Sequence, residues 1–103
     1  MKLLIVEDNP AVRRILKTVV SKIADEILEC EDADESVSIY RTEHPDYVLM
    51  DINLGKTNGI DATRKINDFD HNAKVIIVTN YDEFDLRQAA EEVEQSDLSG
   101  KKI

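Results

Sequence analysis

The sequence predicts an α/β fold built on a doubly wound parallel sheet. Short apolar runs rich in β-branched residues alternate with segments whose apolar residues recur at helical spacing. The runs are too brief for stable helices and lack polar alternation, as expected of parallel strands buried on both faces. Alternation of this kind demands crossover units, with helices packed on either side of one sheet. The chain has 103 residues, enough for one small domain and a single core.

Each element has its own justification. Leu3-Leu4-Ile5-Val6 is the first strand. Asn9-Pro10 then opens a helix, since Asn caps and Pro is tolerated in the first turn. Val12, Ile15, Leu16, Val19, Val20 and Ile23 form one apolar stripe along it. Ile27 to Cys30 is a second, weaker strand. Asp32 or Asp34 opens the next helix, which carries Val37 and Tyr40 and ends before Pro45. Tyr47-Val48-Leu49-Met50 is the third strand. The stretch from Asn53 to Gly59, with two Gly and two Asn, reads as a loop. A third helix turns Ile60, Thr63 and Ile66 inward, and Val75-Ile76-Ile77-Val78 is the fourth strand. A last helix opens near Asp82, with Leu86, Ala89, Ala90 and Val93 on one face. These assignments give a single domain over residues 1–103. Residues 94–103 form an atypical tail, without the apolar run of a fifth buried strand.

Composition excludes several function classes. Formal net charge is −9, with 22 Asp and Glu against 13 Lys and Arg, which argues against nucleic acid as a direct partner. No apolar run approaches the roughly 20 residues that span a bilayer. No secretory signal is visible, so the expected location is cytoplasmic. Cys30 is the lone cysteine and offers neither a disulfide nor metal-ligand spacing. Seven carboxylates between Asp25 and Glu35 read as a solvated face. His44 and His71 read as surface residues.

In open parallel sheets, ligands bind beyond the carboxyl ends of the strands. Glu7 and Asp8 follow the first strand, Asp51 the third and Thr79 the fourth. A flavodoxin-like order, 2-1-3-4, makes those three strands neighbours, so three carboxylates and a hydroxyl converge on one edge. Taken alone, Glu7-Asp8 could be a solvated pair at a helix N-terminus. Asp51 ends an apolar strand, where packing gives an acid no reason to stand. Clustered carboxylates repel, and a hard cation resolves the conflict; this donor set suits a magnesium ion (Mg2+) better than Ca2+.

Leu4-Ile5-Val6-Glu7-Asp8-Asn9, Val48-Leu49-Met50-Asp51-Ile52-Asn53, Gly59 and Ile76-Ile77-Val78-Thr79-Asn80 together resemble the receiver domain of two-component response regulators. The resemblance runs from Met1 to about Ala90. It implies that Asp51 accepts a phosphoryl group from a histidine kinase or a small acyl phosphate, giving an aspartyl phosphate. It also implies Mg2+ held by Asp8, Asp51 and the backbone carbonyl of Asn53, with Glu7 acting through a water. Thr79 would then move toward the phosphoryl oxygens and carry its loop, changing how an output protein binds.

The end of the chain departs from the family pattern. Receivers carry a Lys after the fifth strand, and ungapped spacing puts it at Lys101. The preceding positions are poor strand material: Glu94 and Gln95 replace a small turn, Leu98 an aromatic residue, and Gly100 interrupts the run. The fifth strand is therefore expected to be degenerate, missing or replaced, which would bare an edge of the fourth strand and favour a homodimer or segment swap. The alternative function is a truncated or engineered receiver fragment, a non-switching scaffold or self-associating module. A haloacid-dehalogenase-type phosphatase fits less well, because Ile52-Asn53 after Asp51 lacks the second acid of its motif. A dinucleotide-binding domain would need a Gly-rich turn after the first strand, which is absent.

Overall fold

The structure, a computed structural model, describes residues 1–51, 53–54 and 57–78, with Asn53 and Thr57 as backbone only. The expected last helix, the tail, Thr79 and Lys101 lie outside the described residues. Elements follow in the order β1 (Lys2–Val6), α1 (Pro10–Val20), β2 (Glu26–Cys30), α2 (Ala33–Glu43), β3 (Tyr47–Asp51), β4 (Asn53–Leu54), β5 (Thr57–Asn58), α3 (Gly59–Phe69) and β6 (Val75–Val78).

Four of the strands form one parallel sheet in the order β2-β1-β3-β6, the flavodoxin-like 2-1-3-4 winding expected. Strand alternation divides its apolar side chains between two faces. Leu4, Val6, Val48 and Met50 pack with Val37 and Tyr40 of α2 and Ala62 and Ile66 of α3. Leu3, Ile5 and Leu49 face the other way, onto Leu16 and Val20 of α1. The central strands are thus sealed on both sides, which is why they read as unbroken apolar runs.

The helix starts are chemically fixed. Asn9 Oδ1 accepts from the N–H groups of Ala11 and Val12 at 2.9 and 3.2 Å, with Pro10 following as the first helical residue. Asp32 caps α2 through the N–H groups of Asp34 and Glu35, so the helix opens at the earlier of the two expected acids. Its other end closes at His44, in left-handed backbone at φ 47°, whose N–H donates to the Tyr40 carbonyl at 2.9 Å. Pro45 then prevents continuation.

Three local expectations need correction. Helix α1 stops at Val20, so Ile23 falls beyond it and is exposed. The N–H groups of Ile23 and Ala24 both donate to the Val20 carbonyl, turning the chain toward β2. The stretch after Asp51 is not simply a loop, since β4 and β5 pair as a short antiparallel hairpin and bury Leu54 in the core. Finally, α3 buries Gly59, Ala62 and Ile66, while Ile60 is exposed.

Candidate functional site at the carboxyl end of the sheet

Register builds the site. Val6 pairs with Met50, so the next residues, Glu7 and Asp51, stand abreast where β1 and β3 end. Asp51 in turn pairs with Val78 of β6. Asp8 follows Glu7 before the Asn9 cap stops the chain from continuing as strand. Carboxylate oxygens of Glu7, Asp8 and Asp51 all lie within 4.8 Å of one another. Glu7 is buried, Asp51 half-buried and Asp8 exposed, so the cluster opens from the sheet toward water.

Glu7 is held at several points. Its N–H donates to the Cys30 carbonyl at 3.0 Å, carrying the β1–β2 ladder one step further. Its carboxylate accepts from the Asn9 N–H at 3.1 Å, and its carbonyl accepts from Arg13 Nη1 at 2.8 Å. Burial pushes its carboxyl up to about 7; the Asn9 N–H opposes this, while Asp8 and Asp51 push the same way. Burial first, and then two neighbouring acids, drive this carboxyl toward its neutral form, a conflict that a bound cation would relieve. The donor set is all oxygen and carboxylate-rich, which fits a hard divalent ion such as Mg2+.

The structure therefore brings together Glu7, Asp8 and Asp51. It places Asn53 in β4, two residues past Asp51. His44 and His71 are exposed, as expected. Nothing in the sequence pattern marks Arg13, which also touches this site: it and its neighbour Arg14 are the same residue type, and packing alone distinguishes them.

The architecture defines a class: a doubly wound parallel sheet with an acidic, oxygen-only pocket at its switch edge. The chain belongs to the response regulator receiver domain family, whose profile matches residues 3–103. It is 32% identical over 92 residues to sporulation initiation phosphotransferase F of Bacillus subtilis, covering 89% of this chain and 74% of that protein. It is 39% identical over 77 residues to the chemotaxis protein CheY of Thermotoga maritima, covering 74% of this chain and 64% of that one. A two-component response regulator of the LuxR family from Aurantimonas sp. SI85-9A1 superposes with a TM-score of 0.72 at 26% identity, over 95% of this chain and 82% of that chain.

Proposed function

We propose that this chain accepts a phosphoryl group from a histidine kinase on Asp51, with Mg2+, and then changes its binding to an output protein. The observation that carries this reading is the meeting of Glu7, Asp8 and Asp51 within 4.8 Å at the carboxyl end of the sheet. Membership of the receiver family supports phosphorylation-dependent signalling as the general role.

In the transfer, a carboxylate oxygen of Asp51 forms a bond to phosphorus as the P–N bond of a phosphohistidine, or the P–O bond of an acyl phosphate, breaks. The electron pair leaves with the imidazole or carboxylate, and Asp51 becomes an acyl phosphate. Asp8, Asp51 and the Asn53 carbonyl would hold Mg2+, with Glu7 behind a bound water; the ion supplies charge neutralisation for the phosphoryl oxygens. Asp51 is anchored on β3, which fixes its line of attack. Thr79 is proposed as the residue that answers the new charge, and Lys101 as a cation that would pair with it. The proposed setting is the cytoplasm; among the described residues, no helix is long and apolar enough to cross a membrane.

A second reading, a self-associating module, draws on β6. Ile76 and Ile77 point to opposite faces of the sheet, yet are 44% and 42% exposed. A second copy or an exchanged segment pairing at this strand would cover them.

The test of the first reading is intact mass after incubation with acetyl phosphate, with and without Mg2+, beside Asp51→Asn. A Mg2+-dependent gain of one phosphoryl group in the wild type alone is expected. No gain, with Mg2+ binding still detectable, would leave the scaffold reading in its place.

A further inference from the structure

Arg13 lies on α1 and is no part of the acid cluster, yet its side chain is only 18% exposed and its guanidinium is engaged through Nε and Nη1. Nη1 donates to the Glu7 carbonyl at 2.8 Å and lies 3.4 Å from Glu31 Oε1, while Nε lies 3.3 Å from Glu29 Oε1. Glu29 is shared with Lys17 at 3.2 Å. Arg14, one residue on, is exposed. The guanidinium thus braces the first turns of α1, the end of β2 and the acid turn after β1 against one another.

The point of attachment matters. The Glu7 carbonyl and the Asp8 N–H belong to one planar peptide unit, so fixing the oxygen fixes the plane from which Asp8 hangs. The other side of Glu7 is fixed by its N–H on the Cys30 carbonyl. Rotation of this peptide would carry Asp8 away from Glu7 and Asp51, the direction in which like charges push it.

The geometry points to Arg13 as a positioning residue that holds the Glu7–Asp8 peptide in the conformation a divalent cation needs, with Glu29 and Glu31 fixing the guanidinium. This rests on the reading of the acid cluster as an Mg2+ site. It makes a prediction of unusual sign. A cation beside three carboxylates competes with a metal ion, so if Arg13 acted through charge alone, its removal would tighten Mg2+ binding. If it acts as a brace, removal weakens binding despite the more negative pocket.

The experiment is an Mg2+ titration of the 103-residue chain followed by backbone amide shifts, with thermal melts of each variant. Arg13→Gln is expected to weaken Mg2+ binding roughly tenfold, as loss of groups that orient metal ligands does. Arg13→Lys keeps the charge but not the planar fork, and is expected to recover the affinity only in part. Unchanged or tighter binding by Arg13→Gln would overturn the inference. Should that variant not fold, Arg13→Lys decides: wild-type affinity overturns the inference, weakened affinity with an intact melt supports it. Loss of folding in both would overturn it too, since Arg13 would then hold the domain rather than the pocket. A wild-type chain that binds no Mg2+ would overturn the site reading itself, whereas wild-type binding with an unaffected Arg13→Gln overturns only the brace.

Discussion

At Glu7 the fold holds a carboxyl out of water beside two others, and the consequence is measurable. Its pKa rises from the ordinary 4.5 to about 7, so the folded chain keeps a proton there that the unfolded chain releases. Unfolding is then favoured as pH rises through that window. Without divalent cations, the melting temperature is expected to fall by several degrees between about pH 5 and pH 7.5. Glu7→Gln, or saturating Mg2+, should flatten that slope; a slope unchanged by either would show that Glu7 is not its source. Asp51→Asn removes one of the repelling charges, so it should stabilise the metal-free protein at pH 8 by on the order of 1 kcal/mol while abolishing phosphoryl uptake. Calorimetry beside intact mass would separate the two effects. Asp51 was legible in the sequence because an acid that ends an apolar strand has no packing explanation, and its convergence with Glu7 and Asp8 on one edge made that pair legible too. Arg13 was not legible, because its partners, Glu29 of β2 and Glu31 just after it, meet it only through the fold.

Among the elements, α1 depends on its cap. Asn9→Ala should cost about 1 kcal/mol, read from denaturant midpoints, because two N–H groups lose their acceptor. Helices α2 and α3 are joined at their far ends from the acid site by the Tyr40 hydroxyl, which donates to Asp70 at 2.7 Å, with Phe69 edge-on to the Tyr40 ring. Burial and then Asp70 push the Tyr40 phenol up to about 12, and the same hydrogen bond is the first cause holding Asp70 below the usual carboxylate range. Between these helices and the sheet, Ile66 is fully buried, so Ile66→Ala is expected to cost about 3 kcal/mol through lost contacts and a residual cavity. The elements themselves were readable from periodicity and caps. The inward face of α3 was harder, because it runs through Gly59 and Ala62, whose small side chains leave little apolar signal against the more conspicuous Ile60. The β4–β5 hairpin was missed because two-residue strands fall below any alternation pattern.

For the whole molecule, strand order was legible because a flavodoxin-like winding sets the first, third and fourth strands side by side and brings the residues that follow them to one edge. The sheet carries the apolar β6 with two exposed isoleucines, and the second reading makes a concentration-dependent claim about it. Sedimentation at high micromolar concentration should show a dimer or larger species; a monomer throughout would remove that reading without touching the acid site. The acid cluster exists in the folded chain alone, because Glu7 and Asp8 follow β1 whereas Asp51 ends β3. Mg2+ at about a hundred times its Kd should therefore add roughly 2.7 kcal/mol to stability.

Asp51, and no other acid of the cluster, is proposed to take the phosphoryl group. Borohydride reduces an acyl phosphate to the alcohol, so an aspartyl phosphate becomes homoserine and can be located by peptide mass spectrometry. After acetyl phosphate and Mg2+, homoserine is expected at position 51, absent when Mg2+ is withheld. Reduction at position 7 or 8 instead, or no reduced residue in a chain that demonstrably binds Mg2+, would contradict it.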